Sequence, residues 1–284
     1  MKPRQVSSLS PVKQVCAFSA ILGLALIALP SPTLAQVVSL SSANSSATVD
    51  LGTSAGMNNW TVDGGNQLNQ QWFWYRIGNG LATPINTIGA IAYSQPGADQ
   101  LAATYSSSTL AGFSLEIKYI LSGGAINSGA SQILETIKVN NTTGGDLDFH
   151  LFQYSDFNLG GTAGGDSVEI FNSGSGYDFV SQSDGVTEIA EAITLPEANR
   201  AEARLYDTTR NNLDTVPGYN LDNNLTTGPG DATWSLQWDV NVLNNSSFEV
   251  FKNKALSVTP IPEPAALSLL TLGLGACRFI RRRK

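Results

Sequence analysis

The sequence predicts an all-β protein, an antiparallel β-sandwich of jelly-roll type, with an N-terminal signal helix and a short C-terminal transmembrane helix at its ends. Three observations predict it. Period-2 alternation of apolar and polar residues recurs through positions 36–258, clusters of Gly, Ser and Asn punctuate it, and no long window has helical periodicity. About ten such strands, without helices to cover a parallel sheet, pack as two antiparallel sheets face to face. The 284 residues then divide into segments 1–35, 36–258 and 259–284.

Segment 1–35 has the three-part layout of a secretory signal. Lys2, Arg4 and Lys13 form a basic start, 17–29 is an apolar run too short to span a bilayer, and Thr33 and Ala35 are small residues placed for cleavage before Gln36. Export machinery and signal peptidase are the partners this implies.

In the body, "QWFWYRI" (71–77) sets Trp72 and Trp74 on one face and Phe73 and Tyr75 on the other. A run apolar on both faces reads as a central strand buried on both sides. If one face is open, Trp72 and Trp74 are the candidates for stacking on sugar rings, with Trp60 a weaker third. "INTIGAIAY" (85–93) and "FSLEIKYIL" (113–121) follow, the latter alternating strictly. "QILETIKVN" (132–140) alternates except for Glu135 on its apolar face. "DLDFHLFQY" (146–154), "SVEIF" (167–171), "YDFVSQ" (177–182), "VTEIAEAI" (186–193), "TWSLQWDV" (233–240) and "SSFEVFKNKALSV" (246–258) complete the set. "NNTTGGD", "NSGSG" and "SDG" supply turn residues between strands. "PEANRAEARLY" reads equally as a short helix or an irregular edge strand. The polar stretch 207–231 reads as a long loop and the foremost functional surface.

Both cysteines, Cys16 and Cys277, lie in the terminal apolar segments, so the body has neither disulfides nor cysteine–zinc sites. Of the 16 basic residues three precede position 36 and five follow 258. Eight remain against 22 of the 23 acids, a net charge of −14. Such a body repels nucleic acid and anionic lipid.

His150 is the single histidine, and no nucleophile elbow accompanies it, so no catalytic residue is assigned. Paired carboxylates suit glycoside hydrolysis, but spacing does not select a pair among 22 acids. "GGDLD" and "GGTAGGDS" place Asp146, Asp148 and Asp166 beside glycine turns, and Asp222 and Asp231 lie in the long loop. Hairpin chemistry alone accounts for these pairings, so no cofactor is expected. A structural calcium is the one ion that such oxygens suit.

The chain closes with "PIPEPAALSLLTLGLGACRFIRRRK". Pro262, Glu263 and Pro264 form an extended spacer. The apolar run to Ile280 makes a helix of about 24 Å, short of a bilayer core of about 30 Å unless Arg278 snorkels. Arg281, Arg282, Arg283 and Lys284 then stay on the cytoplasmic side with Arg278. Tripeptide, apolar helix and basic cluster in this order resemble the PEP-CTERM sorting signal, with the departure that Cys277-Arg278 interrupts the apolar run. The resemblance covers only this tail. It implies recognition by an exosortase-like membrane enzyme, transient membrane anchoring, and delivery outside a Gram-negative-type bacterium that makes exopolysaccharide.

Two terminal signals around an acidic, cysteine-free β body without a catalytic constellation lead to one expectation. The protein is a secreted or surface-sorted, non-enzymatic structural or adhesive protein of an exopolysaccharide matrix. The alternative is a carbohydrate-binding module or polysaccharide-active hydrolase on the same sandwich.

Overall fold

The computed structural model describes residues 36–258. The signal helix and the transmembrane helix expected at the ends lie outside those residues. Among the described residues no helix is long and apolar enough to cross a membrane. The strands in chain order are β1 (Val37–Ser42), β2 (Ser45–Asp50), β3 (Gly56–Val62), β4 (Gly65–Asn66), β5 (Leu68–Ile77), β6 (Thr83–Pro84), β7 (Gly89–Ser94), β8 (Gln100–Ser107), β9 (Phe113–Gly123), β10 (Ala130–Asn141), β11 (Leu147–Phe157), β12 (Asp166–Asn172), β13 (Tyr177–Ser183), β14 (Thr187–Leu195), β15 (Arg200–Leu205), β16 (Thr226–Gly230), β17 (Ala232–Val242) and β18 (Ser246–Val258). One helix, α1 (Thr208–Thr215), falls between β15 and β16.

They form two nine-stranded sheets. The front sheet runs β1-β2-β3-β5-β11-β17-β15, with β4 on β3 and β6 on β5, and the back sheet runs β16-β12-β13-β14-β18-β10-β9-β8-β7. β3 touches β5 briefly in parallel, and the long ladders, β10 with β18 and β11 with β17 among them, are antiparallel. The sandwich is thus as expected but larger than a jelly roll, whose two sheets share about eight strands. The extra strands are poor in apolar residues. β1 and β2 alternate Val, Leu or Ala with Ser and Thr and bury only two or three side chains each.

"PEANRAEARLY" resolves into β15, an edge strand. Ala201 and Ala203 lie opposite Leu236 and Trp234, where small side chains leave room for large ones. The helix sits further on, inside the stretch expected to be a loop, with Thr209 and Leu213 buried one turn apart. "NNTTGGD" is not a hairpin: it carries the chain from β10 in the back sheet to β11 in the front one. Gly56, at φ +58°, is required where β3 meets β5, because a Cβ there would stand 2.3 Å from the Trp72 ring.

The core between the sheets is aromatic. Trp60, Trp234 and Trp238 are fully buried, and each indole N–H finds an acceptor: Ser131 Oγ, Gln182 Oε1 and the Pro196 carbonyl. Glu135, the residue that interrupts the alternation of β10, faces inward as well. It meets Lys252 and, at 2.7 Å, Lys254. Glu191 lies 3.2 Å from Lys252 and 3.6 Å from Lys254. Burial draws Lys254 down to about 8 against the pull of Glu135 and Glu191. Lys252, equally buried, is held above its ordinary value by the same two carboxylates.

Candidate functional site

Register places four rows of residues on one parity of β5, β11 and β17, the parity turned away from the back sheet except where the Trp72 ring reaches Tyr105 of β8 at 6.3 Å. Arg76 lies beside His150 and Asp239, Trp74 beside Phe152 and Gln237, Trp72 beside Tyr154 and Ser235, and Gln70 beside Asp156 and Thr233. Arg200, Glu202 and Arg204 of β15 flank them. This outer face of the front sheet has an aromatic middle and ionisable ends, an arrangement suited to an amphipathic ligand.

Its middle is covered by the chain itself. The segment from Tyr206 to Asn224, α1 included, lies over it as a lid. Trp74 Nε1 donates to Asp214 Oδ1 at 2.8 Å, and Arg210 donates to Gln70 Oε1 at 3.0 Å. Arg76 donates to the Tyr219 carbonyl and to Asn220 Oδ1, with its guanidinium 5.5 Å over the Phe152 ring. Buried Glu202 accepts from Thr209 Oγ1 at 2.6 Å, from Tyr219 Oη at 2.7 Å and from the Asp222 amide at 3.0 Å. Burial and the bond to Glu202 push the Tyr219 phenol up.

One end stays open. His150 Nδ1 lies 2.6 Å from Asp239 Oδ1, and its Nε2 lies 3.5 Å from Asp148 Oδ1. An ionised carboxylate only accepts, so the imidazole donates its Nδ1–H to Asp239. Nε2 has no hydrogen-bond partner within the fold. Asp239 also accepts from Gln237 Nε2 and is held through its amide by Asn199, while Arg200 Nε is 3.7 Å from its other oxygen. Asp148 is 68% exposed and Asp239 31%, so solutes reach the carboxylates, while His150 is 13% exposed and its Nε2 is buried.

The opposite end is buried. Asp156 accepts from Asn69 Nδ2 at 2.8 Å through one oxygen, and its other oxygen has no partner. Burial pushes its carboxyl up to about 6, with the neighbouring charges of Asp231 and Asp166 adding to the shift. Burial raises Asp166 and Asp231 as well, and each also keeps one buried oxygen without a partner.

Trp72 and Trp74 are fully buried, so neither stacks on a sugar: Trp74 bonds Asp214 of the lid, whereas Trp72 bonds Asn86 and packs against Tyr105 of β8. Trp60 belongs to the core. The calcium candidates are dispersed. Asp146 accepts from the Asn244 amide, Asp148 stands by His150, and Asp166 is buried against Leu159 and Gln182. Among the described residues no three carboxylate, imidazole or thiol groups converge to hold a metal ion. The sorting tripeptide and the basic tail lie outside the described residues. Arg76, Glu202, Arg210 and Asp239 went unread in the sequence. The one available signal was the stacking of charged residues on the same parity of neighbouring strands, which requires the register to be known.

No protein-family model and no curated protein matches the sequence. Solved structures match its fold. A bacterial glucoamylase complexed with acarbose is similar at TM-score 0.60 and 10% identity, over 84% of this chain and 34% of its own. A galactose mutarotase related enzyme from Lactobacillus acidophilus is similar at TM-score 0.53 and 7% identity, over 78% of this chain and 98% of its own. The chain therefore spans about a third of the glucoamylase and nearly all of the mutarotase-related enzyme. At such identities the likeness is one of fold. It nevertheless corrects the expectation of a non-enzymatic structural or adhesive protein: these carriers of the sandwich are carbohydrate-processing enzymes. His150 and Asp239, brought together at the open end, lie 89 residues apart in the sequence.

Proposed function

We propose that the protein acts on carbohydrate, and that the open end of the front sheet's outer face is where it binds a sugar and moves protons on it. The observation that carries this reading is His150, held by Asp239 at 2.6 Å beneath the exposed Asp148, with a buried Nε2 that no group of the fold bonds. Interconversion of sugar anomers needs a base to take the proton of the anomeric hydroxyl and an acid to return one to the ring oxygen. An imidazole held by a carboxylate does both in turn, and Asp239 steadies the imidazolium that forms. Glycoside hydrolysis asks instead for two independent carboxyl groups across the bond, whereas Asp239 here is committed to His150. The fold shared with a mutarotase-related enzyme and a glucoamylase supports a carbohydrate substrate.

The test is polarimetry of freshly dissolved α-D-glucose and α-D-galactose with the purified protein, beside a reducing-end assay on starch. The expected result is accelerated mutarotation, reduced about 100-fold or more in His150→Asn. No acceleration with either sugar would overturn the reading, and new reducing ends would replace it with the hydrolase.

The address is part of the same proposal. The N-terminal signal directs export, and the PEP-CTERM-like tail hands the chain to an exosortase-like enzyme for delivery to the surface or beyond. Deleting 262–284 should abolish membrane retention of the precursor. An unchanged distribution between membrane and medium would count against it.

A further inference from the structure

The outer face of the back sheet carries a row of exposed apolar side chains. Phe171 stands opposite Phe179, Phe179 opposite Ala192, Ala192 opposite Asn253, Asn253 opposite Leu134, and Leu134 opposite Ile120. The row crosses six neighbouring strands, about 24 Å at the usual spacing. Phe171 and Phe179 are 42% and 36% exposed, with ring centroids 5.5 Å apart and planes at 59°. Leu134 and Ile120 are comparably exposed. Each outward side chain here could have been polar without cost to the core, so two exposed apolar pairs on one line, Phe171–Phe179 and Leu134–Ile120, point to a partner.

The surroundings narrow the partner's chemistry. Next to the phenyl pair runs a shallow groove lined by Ser167, Glu169, Ser181, Ser183 and Thr226, groups that donate to and accept from hydroxyls. A pyranose has apolar C–H faces and a rim of hydroxyls, so it stacks on the rings while its rim meets the groove. Charge selects further. Glu169 and Glu188 border the site and the body carries −14, which disfavours anionic polymers.

We propose that this row binds a neutral polysaccharide chain lying across the strands of the back sheet. The site shares no residue with the His150 end of the front sheet, and the proposal stands whether or not that end is catalytic.

Affinity electrophoresis of the purified full chain through gels containing dextran, soluble starch or hydroxyethylcellulose, with alginate as the anionic comparison, tests it. The expected result is retardation by at least one neutral polymer, none by alginate, and at least a tenfold weaker Kd for the Phe171→Ala/Phe179→Ala double variant with an unchanged circular dichroism spectrum. Should that variant misfold, Ile120→Ser/Leu134→Ser at the other end of the row must weaken binding likewise. Mutarotation, if present, should be untouched in either variant. No retardation in any neutral gel, equal retardation of variants and parent, or a dimer in sedimentation that the phenylalanine changes dissolve would each overturn it, the last by giving the row to a second copy of the chain.

Discussion

Two sets of buried charge in this sandwich are handled differently. Between the sheets, Glu135 and Glu191 face Lys252 and Lys254, so the set is neutral and each charge has an opposite partner. Asp156 of β11, Asp231 before β17 and Asp166 of β12 in the back sheet are acidic neighbours whose buried oxygens are left partly unmatched and whose carboxyls are all raised. The first set is architecture: it joins β10, β14 and β18 in one register. The second has no cation of comparable burial beside it, and it costs stability once ionised.

The largest effect should come from unbalancing the neutral set. Lys252→Met leaves two buried carboxylates with one lysine and should cost about 3–5 kcal/mol in urea unfolding. Adding Glu135→Leu should recover much of it. If the single variant is no less stable than the parent, the pairing is not structural.

Asp156 should behave oppositely. Its carboxyl titrates near 6 in the folded chain, against 3.8 for an ordinary aspartate. Below pH 4 both states hold the proton and the group is neutral for stability. Between about 4 and 6 the unfolded chain releases its proton while the folded one keeps it, so stability falls as pH rises. Above 6 the full penalty, roughly 2–3 kcal/mol, is present. Asp156→Asn should therefore raise the melting temperature at pH 8 and leave it nearly unchanged at pH 4. Equal effects at the two pH values would remove the contrast between the sets.

Smaller is the hold of the lid. Tyr219→Phe removes one bond to buried Glu202 and should cost about 1.5 kcal/mol, with faster proteolysis within 206–224. If cleavage there is unchanged, the lid is fixed by its apolar contacts alone. Smallest is Phe179→Ala on the bare face, which should shift stability by less than about 0.5 kcal/mol. A larger loss would mark that ring as part of the core instead of a binding surface.

Much of the back sheet was legible as written. β9 and β10 alternate over eleven or more residues, and their inward sets are those the periodicity picks out. The front sheet was less so. In β5 the residues from Gln70 to Trp74 are all buried, and nothing local says that one side of it meets the core while the other meets a lid. The lid itself reads as loop, because α1 is eight residues of mostly polar character whose place depends on Leu213 and on bonds to Trp74 and Glu202. His150 looked solitary because Asp239 lies 89 residues away and becomes its neighbour only through the β11–β17 register.

By itself the sequence determined the class of fold, the faces that each strong strand presents, a body free of cysteine, and the labels proposed for the two ends. Those properties are local: alternation, composition and short motifs act within one strand or one segment. The tertiary structure alone decided which face is covered, which carboxylates go unpaired and which imidazole gains a carboxylate on either side. These follow from register and packing between segments tens of residues apart, where a shift of one residue would turn every one of these side chains to the other face.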